Sequence, residues 1–512
     1  MNITRRGFMM TTVGGLTGLS LGTVALAQDG GTLRYGTVTE VTNLDPHVYG
    51  GSAWKALIGM IYSPIITYDT SGQLVPAIAA SWEQPDAMTT IFTLRDDVLF
   101  HDGSKLTADD VVFSLERIRD EATGATLRSY LEAAEITKQD DTTIVVKTPT
   151  ADAALLSVLG LPEAAIVSQS WVGSGVNIKA EANGTGPFML AEYETAVRAK
   201  LKANPDYFIE GQPKLDTVEF RMITSDDARV SALRSGAVDM IDFVPWKDID
   251  VLDRMPNLTV DSASGAFMNV WFNATRAPFD NPTLRRALAY AIDREAISRA
   301  AFFGHGEPIT GAPTPPDSPW YNDDLKHAVS YDIDKAHSLL EEAGHPDGLD
   351  LELVVYQGLG IYTTTAQIVQ ANLAEIGVNV SIRLVEWSDV VARKNGADYD
   401  AMIYGVSMKL NDPDAYSYYF GAQSPYWAAP IGYKDDTLQA LLDEGRALTD
   451  MAARKDVYRQ VEERLLETMP WIFINDREQA QAYSRSVSGY THLGGALNEA
   501  SAAISMPLIS KT

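Results

Sequence analysis

The pattern between residues 349 and 384 limits the chain most strongly, because it fixes the class of fold. Apolar residues recur at every second position in two stretches, at Leu349, Leu351, Leu353 and Val355 and at Val378, Val380, Ile382 and Leu384. A period of two predicts β-strands. The intervening segment has apolar residues at helical spacing and ends at Gly377. Strand, helix and strand in this order form a βαβ unit, which requires parallel neighbours in a sheet, so the chain is predicted to be α/β.

A second ordered pattern lies between residues 75 and 118. Phe92 and Leu94 alternate with polar residues, which predicts a half-buried strand. A turn is expected at 101–103, where glycine follows His-Asp. Thr107 begins a T-A-D-D sequence typical of a capped helix start. This segment predicts a strand, a turn and a capped helix, and none of its residues is catalytic by type.

The overall composition excludes several classes of function. The chain has 512 residues, enough for two or three domains, and a net charge of −27. So negative a chain is a poor partner for nucleic acid or an anionic membrane surface. It contains no cysteine, which rules out disulfides, thiolate zinc sites and cysteine nucleophiles.

Residues 1–27 are predicted to be a targeting segment. Arg5 and Arg6 precede a mildly apolar, glycine-containing stretch, and residues 25–27 read A-L-A, a small-x-small cleavage pattern. The segment resembles a twin-arginine signal peptide, although the general secretory route stays open. An uncleaved membrane anchor is the alternative, but the apolar run is short and interrupted. We expect cleavage after Ala27 and a periplasmic protein that is not embedded in the membrane.

No motif for catalysis or metal binding stands out. The seven histidines do not pair at the H-x-x-x-H spacing, and neither G-x-S-x-G nor a P-loop is present. Carboxylate pairs are too frequent in so acidic a chain for a glycosidase pair to be picked out or excluded. We therefore expect no catalytic residues, no metal and no cofactor.

Several segments in order resemble one known family. Residues 76–82 read P-A-I-A-A-S-W, 92–103 read F-T-L-R-D-D-V-L-F-H-D-G, 106–111 read L-T-A-D-D-V, and 285–293 read R-R-A-L-A-Y-A-I-D. This order resembles the family 5 extracytoplasmic solute-binding proteins of ABC importers, which include oligopeptide, dipeptide and nickel receptors. The resemblance implies an α/β, two-lobed periplasmic-binding-protein fold with a hinge near 262–272 and an extra sub-domain on the first lobe.

The resemblance also implies a division of the chain. The core of the first lobe is expected from residues 28–50, 185–270 and 488–512. The extra sub-domain is expected at 51–184 and the second lobe at 271–487.

The implied function is reversible capture of a peptide-like or other polar organic solute between the lobes. The expected partners are that ligand and a membrane permease with its ATPase subunits, and the protein is expected to be monomeric. Receptors for nickel or another metal chelate, an opine or an oligosaccharide share the fold and remain alternatives. A secreted hydrolase is the alternative from another class.

Aromatic residues near the implied cleft are candidate ligand contacts. By resemblance, Tyr49 lies in a cleft loop, Trp271 on the hinge strand, and Trp387 after a strand of the second lobe, with Tyr404 and Tyr416 in the same neighbourhood. Tryptophan offers a large apolar surface and one N–H donor. For each tryptophan the alternative is a place in the core, and for Tyr49 a place on the surface.

The loop at 407–414 is the strongest candidate for choosing the ligand. Peptide-binding relatives carry an aspartate three residues before an Asp-Pro-Asp, where it pairs with the ligand's amino group. Here Asp412 begins that Asp-Pro-Asp, but the earlier position is Lys409. A lysine at this position favours an anionic group of the ligand. In addition, residues 356–362 contain no arginine, whereas dipeptide receptors place there an arginine that pairs with the ligand carboxylate. The alternatives are a solvated lysine at 409 and a turn-forming aspartate at 412.

The substitution Lys409→Glu tests this loop. If Lys409 attracts an anionic ligand, reversal of its charge abolishes binding. Tryptophan fluorescence quenching measures the affinity, and unchanged affinity would remove Lys409 from the site.

Overall fold

A computed structural model describes residues 30–48, 50–316, 318–422 and 432–512. The predicted targeting segment and Tyr49 lie outside these residues. The strands are β1 Thr32–Thr37, β2 Ile66–Tyr68, β3 Leu74–Pro76, β4 Ala79–Asp86, β5 Thr89–Leu94, β6 Glu135–Lys138, β7 Thr143–Lys147, β8 Phe188–Glu194, β9 Arg198–Ala203, β10 Thr217–Met222, β11 Met240–Ile241, β12 Leu258–Phe272, β13 Leu349–Tyr356, β14 Val378–Val385, β15 Ala401–Ser407, β16 Trp471–Ser484, β17 Val487–Ser488 and β18 Ser510–Lys511.

The α-helices are numbered in the same way. They are α1 Ser52–Ile61, α2 Ala108–Arg119, α3 Arg128–Leu131, α4 Leu155–Leu159, α5 Gln169–Gly173, α6 Asp226–Arg234, α7 Ile249–Asp253, α8 Pro282–Tyr290, α9 Arg294–Ala301, α10 Ile333–Glu342, α11 Gly360–Ala374, α12 Trp387–Gly396, α13 Ala415–Phe420, α14 Asp436–Ala447, α15 Met451–Thr468 and α16 Ser501–Ser505. Short 3₁₀ turns connect several of them.

One sheet of ten strands runs through both lobes in the order β14-β13-β15-β12-β16-β11-β1-β10-β9-β8. Strands β13 and β14 are parallel and joined by α11, so the predicted βαβ unit is confirmed. Strands β1 and β10 are also parallel, whereas the strands of the middle are antiparallel. The predicted two-lobed α/β class is confirmed.

Two long strands form the connection between the lobes. Strand β12 has 15 residues and β16 has 14, and they pair from Leu258↔Ser484 to Trp271↔Trp471. The pairing is irregular between Ala263 and Ala266. This irregularity lies inside the predicted hinge segment. The full length of β16 depends on its pairing with β12, and the sequence alone does not reveal which strands pair.

The extra sub-domain has a sheet of its own, in the order β4-β5-β7-β6. Strand β5 covers Phe92 and Leu94, both buried, and α2 begins at the predicted place. The Thr107 side chain accepts a hydrogen bond from the backbone N–H of Asp110, whose carboxylate accepts from the backbone N–H of Thr107. The capped helix is therefore confirmed.

We propose changes to two of the domain boundaries expected from sequence. Helix α1 places Trp54 and Leu57 in one core with Leu33 of β1, so this helix belongs to the first lobe rather than the extra sub-domain. In β16, Ala480 and Ala482 pack with Ile241 of β11, so the chain has returned to the first lobe well before residue 488. We propose that the sub-domain begins after α1 and that the second lobe ends near residue 480.

The return from the sub-domain passes very close to α1. A Cβ added at Gly184 would lie 2.0 Å from the carbonyl oxygen of Ile61, so only glycine fits there. In contrast, a Cβ at Gly173 in helix α5 would meet nothing within 4 Å.

We expect Gly184→Ala to lower the free energy of unfolding by about 3 kcal/mol, because the backbone must move to relieve the clash. Gly173→Ala is the matched control and should raise it by about 0.5 kcal/mol, since alanine is the better helix former. Guanidinium unfolding followed by circular dichroism measures both. Equal stability of the two variants would contradict the close packing at Gly184.

Candidate ligand-binding site

The site is built on one face of the strands that join the lobes. Met268 of β12 lies opposite Gly405 of β15 on one side and Asn475 of β16 on the other. Register partners in antiparallel strands share a face, and side chains alternate along each strand. Gly405, Ser407, Asn475, Arg477 and Gln479 therefore point to the same side, which we call the hinge face.

Arg477 dominates the hinge face electrostatically. Its side chain is 8% exposed, and Nη1 donates a hydrogen bond of 3.3 Å to the hydroxyl of Tyr362, in the first turn of α11. Its Nε has no hydrogen-bond partner, and in the described part of the chain no carboxylate pairs with the guanidinium. A buried cation without a counter-charge lowers the stability of the folded state.

Gly405 makes the position of Arg477 possible. A Cβ at residue 405 would lie 2.3 Å from Nη1 of Arg477 and 2.7 Å from the Tyr362 hydroxyl. The guanidinium therefore lies directly against the backbone of β15. Any side chain at 405 would displace either the arginine or the tyrosine.

Two amide side chains on the same face also lack partners. Asn475 and Gln479 are buried, and neither the amide nitrogen nor the amide oxygen of either one makes a hydrogen bond within the described residues. Gln479 lines a cavity of about 20 Å³ together with Asn498 and Glu499, large enough for one water molecule. Buried amides are normally satisfied, so this row of groups fits a polar ligand or ordered water.

Aromatic residues approach Arg477 from the second lobe. Trp387 is 42% exposed, and its ring centroid lies 5.5 Å from that of Tyr356, which in turn lies 5.9 Å from that of Tyr362. Trp387 also lies 5.4 Å from Tyr404. The ring of Tyr356 thus lies between Trp387 and Tyr362, and the exposed ring of Trp387 can cover the apolar part of a ligand.

The predicted aromatic contacts separate by burial. Tyr404 stacks on Trp271 at 4.1 Å, and Trp271 stacks on Trp471 at 4.6 Å, so three of the predicted residues, Trp387, Tyr404 and Trp271, lie in one column. Trp271 is 0% exposed, as expected from the alternative interpretation that this side chain lies in the core. Of the predicted aromatic contacts that the structure describes, only Trp387 offers a wide exposed surface, and the role of each residue as a ligand contact stays a prediction.

Lys409 lies half-buried where β15 leaves the sheet. Burial lowers the pKa of its ammonium group, while the nearby carboxylate of Glu499 acts in the opposite direction. The Ser407 hydroxyl donates to Glu499 at 2.9 Å, and Glu499 lies 3.9 Å from Lys55, which pairs with Glu163 at 3.0 Å. Lys409 thus faces a charge network of the first lobe across the hinge.

The remaining predicted residues have structural partners. Arg454 donates to both carboxylate oxygens of Asp412, at 2.7 and 2.9 Å, as a buried bidentate pair. The Tyr416 hydroxyl is buried against Thr314 and Glu462. Tyr49 lies outside the described residues. Their contacts with a ligand also remain predictions.

Arg477, Tyr362 and Gln479 were not identified from the sequence. The available signal for Arg477 was a charged residue three positions past the apolar run 471–474. It indicates a continuing strand only when the partner strand is known. Among the described residues, no group of three metal-binding side chains occurs. None of the helices seen in residues 30–512, apart from the gaps given above, has the length and apolar character needed to cross a bilayer.

Comparison with known proteins identifies the family. Residues 73–427 match the model of the bacterial extracellular solute-binding proteins, family 5. The chain belongs to this family. Its members are substrate-binding proteins of ABC importers that act outside the cytoplasm, and this chain is such a receptor for a small-molecule or peptide solute.

Similar proteins bind different ligands. The solved structure of AgaA in complex with agropinic acid, from A. tumefaciens R10, is 33% identical, with a TM-score of 0.86 over 94% of this chain and 99% of that one. Di/tripeptide-binding protein 2 of Pseudomonas aeruginosa is 27% identical over 90% of this chain and 92% of its own length. Heme-binding protein A of Haemophilus influenzae is 28% identical, with 91% of each chain covered.

Asp414, in the loop after Lys409, gives a pH-dependent test of the local packing. It is fully buried, and burial raises the pKa of its carboxyl to about 7 although Arg446 lies 3.8 Å away. Because this pKa exceeds the unfolded value, the folded state binds more protons between about pH 4 and pH 7. The ionised Asp414 therefore lowers stability as the pH rises through this window.

We expect Asp414→Asn to gain stability relative to the wild type between pH 4.5 and pH 7.5, since asparagine cannot ionise. Denaturant unfolding at both pH values measures the difference. The exposed Asp389→Asn is the control for replacement of an aspartate by asparagine. A pH-independent effect at 414 would contradict the raised pKa.

Proposed function

We propose that this protein captures a carboxylate-bearing polar organic solute between its lobes and presents it to an ABC permease with its ATPase subunits. The observation that carries the proposal is Arg477, a buried guanidinium on the hinge face without a carboxylate partner in the described residues. A ligand carboxylate would supply the missing counter-charge. Arginine suits this role because its planar fork matches a carboxylate with two hydrogen bonds.

The surroundings of Arg477 favour a ligand rich in hydrogen-bonding groups. Asn475 and Gln479 offer amide donors and acceptors beside it, and Trp387 offers an exposed ring. Such a mixture suits a ligand with a carboxylate, several hydroxyl or amide groups and a short apolar part. A purely apolar ligand would leave the amides unsatisfied.

An opine-like ligand fits better than a dipeptide. The similar protein AgaA was solved with agropinic acid, and other relatives are named for di- and tripeptides. In this chain the position that would anchor a peptide's amino group is Lys409, next to Lys55 and the Glu499 network. A cationic side chain there opposes an ammonium group, whereas it tolerates a second anionic or hydroxylated group.

The mechanism is binding with closure and without chemistry. Arg477 contacts Tyr362 of the second lobe, while Gln479 and Ser407 face Asn498 and Glu499 of the first. A ligand held by these groups bridges the lobes and therefore binds the closed form better than the open one, which shifts the equilibrium. We further propose export to the periplasm by residues 1–27, cleavage after Ala27 and a monomeric receptor.

The first experiment identifies the ligand class. Mass spectrometry of what co-purifies with the native protein should find a carboxylate-bearing solute. Tryptophan fluorescence titration should then show saturable binding of agropinic acid or of the co-purified solute, and none of mannitol, a neutral polyol. Recovery of the ligand unchanged would distinguish a receptor from a hydrolase, and binding of mannitol alone would contradict the proposal.

The variant Arg477→Gln tests the anchor. We expect at least about 30-fold weaker binding, roughly 2 kcal/mol, because the ligand carboxylate loses its charged partner. Thermal stability should hold or rise, since the variant removes an uncompensated buried charge. The exposed Arg299→Gln is the matched control and should bind as the wild type does. Wild-type affinity in Arg477→Gln would remove this residue from the site.

A further inference from the structure

Two further cavities lie beside strands β12 and β16, on the side opposite the hinge face. Phe267 and Asp476 are register partners, and they alternate with Ala266 and Arg477, so they face away from the hinge face. They line a cavity of about 410 Å³. A neighbouring cavity of about 380 Å³ shares Thr314, Pro315 and Glu462 with the first, and we call the two the Glu462 cavities.

Glu462 is a buried carboxylate without a cation. It projects from α15, is 3% exposed, and accepts hydrogen bonds from the Thr314 hydroxyl, from Asn322 Nδ2 at 2.7 Å and from the Tyr416 hydroxyl at 3.0 Å. All three donors are neutral. Across the described parts of the chain no lysine, arginine or histidine forms an ion pair with it. The protein thus fixes the position of the carboxylate by hydrogen bonds but provides no positive charge to balance it.

The first cavity carries further negative charge. Asp476 and Glu307 line it together with Glu462, whereas its wall has a single basic side chain, Lys326. Asp476 accepts a hydrogen bond from Ser264, but its buried Oδ1 has no partner in the residues that the structure describes. Burial raises the pKa of Asp476 to about 6, although the hydrogen bond from Ser264 and the charge of Arg477 act in the opposite direction.

The second cavity has both polar and apolar walls. Trp320, Met408, Leu410 and Leu497 are among its lining residues. Its other acidic residue, Asp412, is already paired with Arg454 and adds no uncompensated charge. A molecule in these cavities would therefore meet apolar surface on one side and Glu462 at the junction.

We propose that the Glu462 cavities bind an organic cation, with a primary ammonium group at Glu462 and a short aliphatic chain against Met408 and Leu410. This site is separate from the one at Arg477 and takes a ligand of opposite charge. An ammonium group supplies three donors and the missing positive charge, and a charge-assisted hydrogen bond is about twice as strong as a neutral one.

A ligand in the second cavity would contact both lobes and so affect their relative arrangement. The second cavity is lined by Gln73 and Leu497, from the sub-domain and the first lobe, and by Trp320 and Met408, from the second. A cation bound between them stabilises this arrangement of the lobes over an open one. It therefore strengthens binding at the Arg477 site, and the effect is reciprocal.

The experiment uses n-butylammonium and the neutral n-butanol as probes of the full protein. Calorimetric titration should show n-butylammonium binding about 10-fold or more tightly than n-butanol, because only the former pairs with Glu462. Glu462→Gln should lose this preference, whereas the neighbouring, exposed Glu463→Gln should keep it. Arg477→Gln should also keep it, so failure of this site and failure of the carboxylate site are distinguishable.

Folding of Glu462→Gln is checked by its thermal transition. Met408→Trp provides a second route, because the larger side chain fills the second cavity without altering the carboxylate, and it should weaken n-butylammonium binding about 10-fold. Equal binding of the two probes by the wild type would overturn the proposal. Full n-butylammonium affinity in either Glu462→Gln or Met408→Trp would overturn it as well.

Discussion

Strands β12 and β16 pair over most of their length, and this antiparallel ladder joins the two lobes. It also sets the positions of the residues that matter for function, because register fixes which side chains share a face. Ala266 opposite Arg477 and Phe267 opposite Asp476 place a cation on one side of the sheet and a carboxylate on the other. The irregular pairing between Ala263 and Ala266 lies beside these residues, where the strands pass from one lobe to the other.

Each side of this ladder carries a buried charged side chain that has no ion-pair partner in the described residues. Arg477 on the hinge face and Glu462 on the other side are both nearly inaccessible to water, and each is hydrogen-bonded to neutral side chains. Some other buried charges are paired, as Asp412 is with Arg454, whereas Arg285 and Arg294 donate to backbone carbonyl oxygens. Unbalanced buried charge lowers stability, so its presence where the lobes meet is better explained by ligands than by folding.

Local signals predicted much of the fold but little of the site. The cap at Thr107 and the βαβ unit depend on neighbouring residues, and both were confirmed. The length of β16 depends on pairing with β12, more than two hundred residues away in sequence, so Arg477 was overlooked. Trp271 and Trp387 look alike in sequence, yet one is enclosed by stacked rings and the other is exposed. Burial of this kind is decided by tertiary packing.

The contact between Gly405 and Arg477 also restricts how receptors of this architecture can diverge. The guanidinium occupies the space that a side chain at 405 would fill. A mutation at 405 that comes first would displace Arg477 or Tyr362 and disrupt the proposed site in one step. A mutation of the arginine that comes first leaves an empty space that a later side chain at 405 can occupy. A change of ligand class by these two mutations is therefore possible when residue 477 changes first, but not when residue 405 changes first.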